Sequence, residues 1–229
     1  MPSFRILSLF SAILFTLAVS GLSAPRPAHA LSEQQELVEQ AALTVKKFRS
    51  DPSMSAINFL IENARAVLVY PSIIKGGLIF GGEGGNGVLM SRTKDGKWLG
   101  PAFYTMGQAS WGLQIGIENT EIIFVFMNDK GLNRLLTSQF KIGGDLSVAA
   151  GPAGAGFEAS SQNTLQDVYY YARSKGLFGG ITIEGGVVAI NDGWNEAYYG
   201  KPVKPVDILI KGAVSKADAE SLRKALAAR

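Results

Sequence analysis

The sequence predicts an α+β fold: a curved, glycine-rich, largely antiparallel β-sheet, barrel-like in its curvature, is covered by N-terminal helices and a C-terminal helix. Of the 27 glycines, 25 lie between Gly76 and Gly200, and such a density in strands marks bulges, bends and close backbone approaches. The flanks are poor in glycine and repeat apolar residues at helical spacing. No repeat of fixed period and no low-complexity linker divides the body, so we expect one domain.

Residues 1–30 have the pattern of a secretory signal peptide. Arg5 precedes an uncharged run at 6–19, whose 14 residues suit a signal core and fall short of the roughly 18 needed to span a bilayer. The sequence AHA, which ends at Ala30, has the small residues that signal peptidase requires. We therefore expect cleavage after Ala30 and an exported chain of residues 31–229, periplasmic or associated with the cell envelope. The alternative is an uncleaved anchor with a longer apolar run.

Two helices are predicted at the start of the mature chain. Ser32 and Gln35 form a capping box for the first helix, whose apolar residues fall on one arc about 100° wide. These residues are Leu37, Val38, Ala41, Val45 and Phe48. The second helix begins with Asp51 as its N-cap and Pro52 at its first position. A strand, AVLVYP, follows it, and we expect this strand to end at Pro71.

Residues 76–87, GGLIFGGEGGNG, contain the spacing G-x-G-x-x-G at Gly82, Gly84 and Gly87. A dinucleotide-binding loop needs a helix directly after these glycines, because the pyrophosphate binds the N–H groups at the helix start. Here the chain continues with the strand-like VLMSR and reaches the hairpin turn signal Asp95-Gly96. The sequence therefore predicts a strand and no nucleotide binding.

The rest of the body predicts further strands and two helices. Residues 103–129 predict two extended segments around a turn near Asn119-Thr120, and residues 174–192 predict two more. Residues 130–138, KGLNRLLTS, predict a short helix with its leucines inward. The C-terminal SKADAESLRKALAAR predicts a closing helix that begins at Ser215, with an aspartate three residues later as its capping-box partner.

The composition excludes several kinds of chemistry after signal cleavage. The single histidine, His29, leaves with the signal, and the chain has no cysteine. Nucleophile systems and zinc sites built on these residues are therefore excluded, and we expect no metal or other cofactor. Removal of Arg5 and Arg26 leaves 20 basic residues against 19 acidic ones, a net charge of +1. This balance does not favour nucleic acid as a partner.

Two weak enzymatic signals remain. Ser72 and Lys75 match the S-x-x-K spacing of serine acyl-enzymes, but Gly76 and Gly77 stop the helix that would place both side chains on one face. Carboxylates are scattered singly through the body, and the sequence leaves open whether any two converge. They include Glu83, Asp145, Glu158 and Glu184. We predict that the protein is not an enzyme.

The end of the first predicted helix carries three cations, Lys46, Lys47 and Arg49. Helices that lie on a membrane usually have a cationic polar face, whereas here three acidic residues balance the three bases. Each base would still contribute about 1 kcal/mol near an anionic surface. Two interpretations stay open: a helix packed only on its own domain, and a helix end that faces a membrane.

Five motifs occur in an order and at intervals that resemble the SYLF domain, also called the Ysc-type lipid-binding domain. They are VYPSIIKGGLIFGGEGGNGVLMSR, GKWLGPAFYTMGQASWGLQIG, VAAGPAG, SKGLFGGITIEGG and NEAYYG. The resemblance covers about residues 35–228. It implies a non-catalytic domain that binds phospholipids, with phosphoinositides as ligands in eukaryotic members, some of which also engage actin. Because this chain stands alone behind an export signal, we interpret it as a bacterial member that recognises anionic phospholipid headgroups.

Within the matched motifs, five residues are candidates for headgroup contact: Lys75, Arg92, Lys97, Trp98 and Trp111. Lysine and arginine would bind phosphate, and tryptophan suits a bilayer interface. Each candidate also has a structural explanation. The charged hairpin residues would be a solvated turn, the tryptophans would belong to the core, and Lys75 would serve solubility.

The sequence thus predicts a non-catalytic phospholipid-binding domain that acts at a bacterial envelope membrane. The alternative is a structural or protein-interaction component of the envelope without its own lipid site. An enzyme would require two carboxylates that converge in one pocket. The lipid, the leaflet, the oligomeric state and the protein partners stay open, as does the choice between a surface headgroup site and a cavity for an acyl chain.

Overall fold

The computed structural model describes residues 31–77, 80–111, 116–136, 139–144, 146–153, 166–174 and 185–228. The predicted signal peptide, part of the strands predicted at 174–192 and the carboxylates Asp145, Glu158 and Glu184 lie outside the described residues. So do the side chains at 75–77, 80–81, 109–111 and 116–118, whose backbone is described.

The described residues form six α-helices and eight strands. The helices are α1 (Glu33–Arg49), α2 (Ala56–Asn63), α3 (Asp129–Leu135), α4 (Asp192–Tyr199), α5 (Pro205–Leu209) and α6 (Glu220–Ala227). The strands are β1 (Ala66–Gly77), β2 (Phe80–Arg92), β3 (Trp98–Trp111), β4 (Gly116–Phe126), β5 (Gln139–Lys141), β6 (Val148–Ala150), β7 (Val168–Ser174) and β8 (Val187–Ile190). Two 3₁₀ turns, Pro52–Met54 and Ala217–Ala219, precede α2 and α6.

The strands form one sheet in the order β5-β8-β3-β2-β1-β4-β7-β6. Neighbouring strands are antiparallel except β6 and β7, which are parallel. The sheet curls into a half-barrel with helices at both ends of the chain, so the predicted α+β class and curved antiparallel sheet are confirmed. The parallel pair and the helices α4 and α5 were not predicted.

Each face of the sheet packs against its own hydrophobic core. On one face, Val67 and Val69 of β1 pack with α1, α2, α4 and α6 in what we term the α1 core. On the other face, Leu68 and Tyr70 pack with α3 and α5 in the α3 core. Because successive side chains of a strand point to opposite faces, β1 contributes to both cores and is buried on both sides.

Helix α1 forms as the sequence predicts. Ser32 Oγ accepts from the Gln35 backbone N–H, and Gln35 Oε1 accepts from the Ser32 N–H at 2.8 Å, so the capping box is confirmed. The five predicted inward residues are buried. The Gln35 side chain also donates to Asp218 at 2.7 Å, which joins the start of α1 to the segment before α6.

Four predicted boundaries are wrong. Asp51 and Pro52 begin a 3₁₀ turn at Pro52–Met54, and α2 itself begins at Ala56. β1 continues through Pro71 to Gly77, because a bulge accommodates the proline within the strand. Asn119-Thr120 is not a turn but lies inside β4, paired with Ile74 and Ile73 of β1. The last helix begins at Glu220 instead of Ser215, and the Ser215 hydroxyl accepts a hydrogen bond from Arg223 at 3.1 Å.

The bulge in β1 explains part of the glycine pattern in β2. Tyr70 pairs with Ile122 and Ile73 with Thr120, so Pro71 and Ser72 together lie opposite Glu121. The extra residue brings the backbone of Ser72 close to β2, where a Cβ on Gly85 would lie 2.2 Å from the Ser72 carbonyl oxygen. Gly85 therefore provides room for the bulge, and the stretch 80–92 is a paired strand, as predicted.

A hydrogen bond from backbone to side chain stabilises the hairpin between β2 and β3. Thr93 Oγ1 accepts from the Lys97 N–H at 3.0 Å, and Gly96 has a φ of 84°, so the predicted turn is confirmed.

The motif NEAYYG begins with Asn195, which is fully buried. Its side chain accepts from the Phe103 N–H at 2.9 Å, beside the point where the pairing of β3 with β8 stops at Tyr104. The asparagine side chain thus continues the hydrogen bonding of β3 beyond β8.

Asp167 connects three segments at the start of β7. Its carboxylate accepts from Lys130 Nζ at 2.5 Å, from Asn128 Nδ2 at 2.9 Å and from the Ser147 N–H at 3.2 Å. These donors, Lys130 first, hold the pKa of Asp167 well below its usual range. The start of α3 and the residue before β6 are therefore attached to β7 through one carboxylate.

We predict that Gly85→Ala lowers the free energy of unfolding by about 1–3 kcal/mol, because the methyl group would overlap a backbone carbonyl that cannot move without disturbing the bulge. Gly107→Ala on β3 is the matched control, since no atom lies within 4 Å of its added Cβ. Urea denaturation measures both. Equal stabilities of the two variants would contradict the role given to Gly85.

We predict that Asp167→Asn lowers the free energy of unfolding at pH 7 by about 1–3 kcal/mol, because three donors lose a charged acceptor. A carboxyl with a depressed folded-state pKa stabilises the fold above its unfolded pKa of about 3.9 and loses this contribution as the pH falls. The difference between the wild type and the variant should therefore shrink below about pH 4. Urea midpoints measured from pH 7 to pH 2.5 check this, and a constant difference would contradict it.

Candidate functional site

Two surface clefts contain residues that the sequence predicts to be functional. The hairpin cleft, of about 480 Å³, lies between the end of α2 and the β2–β3 hairpin and is lined by Arg65, Arg92, Lys94 and Asp129 among others. The α1 cleft, of about 490 Å³, lies between α1 and the bulge of β1. It is lined by Gln40, Leu43, Thr44 and Lys47 of α1 and by Pro71, Ser72, Asn119, Glu121, Arg173 and Ser174 of the strands.

In the hairpin cleft, the guanidinium groups of both arginines already donate hydrogen bonds to acceptors of the protein. Arg92 Nη1 donates to the carbonyl of Glu62 at the end of α2, and Arg92 Nε donates to the Gly96 carbonyl at 3.4 Å. Arg65 donates to Asp129 at 2.7 Å and to the Arg92 carbonyl. Each guanidinium joins two segments of the fold, so a phosphate would have to compete with contacts already made.

The neighbours of Arg92 in the predicted site have different environments. Trp98 is 8% exposed, belongs to the α1 core and has the Arg92 guanidinium 5.9 Å from its ring centroid. Lys97 is exposed on the hairpin. The burial of Trp98 agrees with its structural explanation, and the lipid-binding role of these three residues stays a prediction.

Lys75 and Trp111 are described only by their backbone. Lys75 lies in β1, in register with Glu83 of β2 and Glu118 of β4. Trp111 is the last residue of β3 and pairs with Phe80. Their side chains lie outside the described residues, so their proximity to the other candidates stays a prediction.

The three cations at the end of α1 separate into different roles. Arg49 donates to the carbonyls of Leu226, at 3.3 Å, and of Ala228 at the end of α6, and burial lowers the pKa of its guanidinium. Lys47 points to the sheet and binds Glu121 at 2.8 Å. Lys46 is exposed. Arg49 therefore stabilises the contact between two helices, while Lys46 and Lys47 lie on the accessible surface.

The α1 cleft is organised around Glu121. Thr44 Oγ1 and Lys47 Nζ both donate to its Oε1 atom, at 3.1 and 2.8 Å. Its Oε2 atom has no partner among the residues that the structure describes, and 20% of the Glu121 side chain is exposed. Arg173 lies directly opposite on β7, but its guanidinium is nearest to Asp51, at 3.8 Å. Two opposite charges thus face the cleft without binding each other.

Exposed apolar side chains lie beside this charged cleft. Leu43 lines it and is 55% exposed. Ile74 is 54% exposed and pairs with Asn119, which also lines the cleft, so its side chain lies on the same face of the sheet. Leu43, Lys46 and Lys47 are three and four positions apart and are neighbours on α1. Charged and apolar groups therefore share one surface.

Glu121 and Arg173 were not predicted from the sequence. One signal was available for Glu121. It lies two positions before Ile123, so it is on the same face of β4 as Ile123 and Val125, which are buried in the α1 core. An acidic residue on the buried side of a strand is unusual and indicates a polar neighbour. For Arg173 no local signal exists, since its environment depends on the pairing of β4 with β7.

Within the described part of the chain, no three His, Cys, Asp or Glu side chains come together to hold a metal ion. In the same residues, no helix has the length and apolar character to cross a membrane.

Comparison with known proteins identifies the family. The sequence profile described as "Las17-binding protein actin regulator", named Ysc84, matches residues 107–229. The chain belongs to the Ysc84 family. This confirms the resemblance drawn from the motifs, because the SYLF domain is the domain of this family.

Relatives of the Ysc84 family share about three residues in ten with this chain. Protein YSC84 of Saccharomyces cerevisiae is 32% identical over 148 residues, which cover 62% of this chain and 31% of the yeast protein. LAS seventeen-binding protein 3 of the same yeast is 31% identical over 189 residues, 79% of this chain and 40% of the relative. SH3 domain-containing YSC84-like protein 1 of Bos taurus is 28% identical over 209 residues, which cover 88% of this chain and 60% of the bovine protein.

The chain thus spans between about a third and three fifths of the length of these relatives. The names of the family and of the yeast relative describe binding or regulatory proteins.

Proposed function

We propose that this domain binds phospholipid headgroups at the surface of an envelope membrane and catalyses no reaction. The observation that supports this most directly is the surface around the α1 cleft, where cations and exposed apolar side chains lie together. Lys46, Lys47 and Arg173 would attract anionic headgroups, while Leu43 and Ile74 would enter the boundary between headgroups and acyl chains.

The expected affinity is low. The three cations of this surface, less the charges of Glu121 and of Asp51 beside Arg173, contribute about 1 kcal/mol near an anionic bilayer. The two half-exposed apolar side chains add about 1 kcal/mol each. The sum corresponds to a dissociation constant of about 6 mM lipid. The domain would therefore bind reversibly and respond to the anionic fraction of the membrane and to salt.

We further propose that the domain acts outside the cytoplasm, as an exported bacterial protein cleaved after Ala30. The uncharged run at 6–19 and the small residues before Leu31 support this. The intact mass of the protein recovered from an expressing bacterium tests it. We expect a chain that begins at Leu31 in the periplasmic or membrane fraction, and an uncleaved chain in the cytosol would contradict the proposal.

A second function has separate support. The description of the family and the name of the yeast relative refer to binding of Las17 and to actin regulation, which favours a protein-interaction role. On this alternative the same exposed surface would contact a protein partner, and the domain would not bind vesicles in a salt-dependent way.

Liposome flotation separates the two functions. Residues 31–229, one compact unit, are mixed with millimolar lipid as phosphatidylcholine vesicles or as vesicles containing phosphatidylglycerol. We predict flotation with the anionic vesicles only, reduced by 0.5 M salt because exposed charges are then screened (Debye length about 4 Å).

Two charge reversals locate the surface. Lys46→Glu changes an exposed residue of the proposed surface, and we expect it to reduce flotation several-fold. Lys97→Glu makes the same change at the hairpin residue predicted from the sequence, so the two variants compare the two candidate surfaces. Lys201→Glu, at an exposed residue after α4, is the matched control and should have little effect. Loss of binding in Lys97→Glu alone would move the site to the hairpin cleft, and absence of flotation under every condition would favour the protein-interaction function.

A further inference from the structure

We infer that the α1 cleft binds a zwitterion in which a primary ammonium group and a phosphate are joined by a short linker, as in the phosphoethanolamine headgroup. This inference rests on the proposed function, since it names the headgroup that the same surface would take. The shared chemistry has two sources, an aminophospholipid in a bilayer and a free phosphoethanolamine compound.

Two opposite charges are separated in the α1 cleft. Glu121 and Arg173 are directly opposite on β4 and β7, a position at which Cβ atoms are about 5 Å apart and opposite charges usually pair. Arg173 instead forms an ion pair with Asp51, with 3.8 Å between the guanidinium nitrogen and the carboxylate oxygen. This distance is too long for a hydrogen bond, so the N–H groups of Arg173 can still donate to a ligand. The cleft therefore presents an acceptor and a donor that are close together and not bound to each other.

The Glu121 carboxylate has both of its hydrogen bonds on one oxygen atom. Both of its donors, Thr44 and Lys47, bind Oε1, so among the described residues Oε2 remains available to a ligand. A purely anionic headgroup would still be attracted by the cations of this surface, but it has no donor for the Glu121 carboxylate. An ammonium group would donate to Oε2 instead, and the phosphate attached to it would reach Arg173 and the Lys47 ammonium.

The same carboxylate distinguishes a primary ammonium from a choline group. A primary ammonium has three N–H donors for a carboxylate oxygen, whereas a trimethylammonium group has none. The hydroxyls of Thr44 and Ser72 are further polar groups at the cleft. The cleft should therefore prefer phosphoethanolamine over both phosphocholine and inorganic phosphate.

Two arms test the inference with residues 31–229. In the first, NMR titration measures binding of O-phosphoethanolamine, phosphocholine and inorganic phosphate. We expect phosphoethanolamine to bind about tenfold more tightly than the other two, the effect of one charge-assisted hydrogen bond. In the second, vesicles with equal phosphatidylglycerol contain either phosphatidylethanolamine or phosphatidylcholine, so that surface charge is constant. We expect stronger flotation with phosphatidylethanolamine.

Glu121→Gln is the informative variant, because it removes the charge that selects the ammonium and keeps an oxygen for Thr44. It should lose the preference for phosphoethanolamine and still bind vesicles that contain phosphatidylglycerol. Glu196→Gln, on the exposed face of α4, is the matched control and should keep the preference. Thermal melting of both variants verifies that they fold, and the comparison of ligands on the wild type does not depend on either variant.

The outcomes separate this inference from the proposed function. Equal binding of the three soluble ligands together with equal flotation on the two vesicle types would overturn the inference and leave membrane binding intact. Selective binding of soluble phosphoethanolamine without flotation on any vesicle would support the cleft and overturn the membrane function. Selectivity that persists in Glu121→Gln would overturn the role assigned to Glu121.

Discussion

The burial of β1 on both faces is the constraint on which the rest of the structure depends. Val67 and Val69 pack in the α1 core, and Leu68 and Tyr70 pack in the α3 core. A strand of this kind needs a layer of structure on each side. The helices from the two ends of the chain supply one layer. The curl of the sheet with α3 and α5 supplies the other. The α1 cleft lies at the edge of the first layer, between α1 and the bulge of β1.

Local chemistry made part of the fold predictable. The capping box of α1 and the turn at Gly96 are decided by residues within a few positions of each other, and both are confirmed. The errors arose where distant contacts decide. Judged from the sequence alone, Pro71 indicates the end of a strand. In the structure, the bulge and the room at Gly85 allow β1 to continue beyond it. Asn119 and Thr120 have turn propensity, yet their pairing with β1 keeps them in β4.

The candidate site was less predictable, because a sequence shows which residues are charged but not which charges are already neutralised. Arg49 and Arg92 donate to carbonyls at helix ends and so stabilise the fold. Lys46 is exposed, whereas Arg49, three positions later on α1, donates to carbonyls at the end of α6. The polar centre of the α1 cleft depends on the register between β4 and β7, a long-range pairing that no local pattern encodes.

The bulge in β1 has a consequence for the length of the chain. Side chains alternate with a period of two, so one extra residue reverses which face each later position serves. Up to Tyr70 the odd-numbered residues face α1; after the bulge Ile73 is buried in the α3 core and Ile74 is exposed. A deletion of one residue at 71 or 72 would exchange the inner and outer surfaces of the strand as far as Gly77. The number of residues in the bulge therefore decides which face each residue from Ile73 to Gly77 is on. Sequence alignments should place no insertion or deletion there.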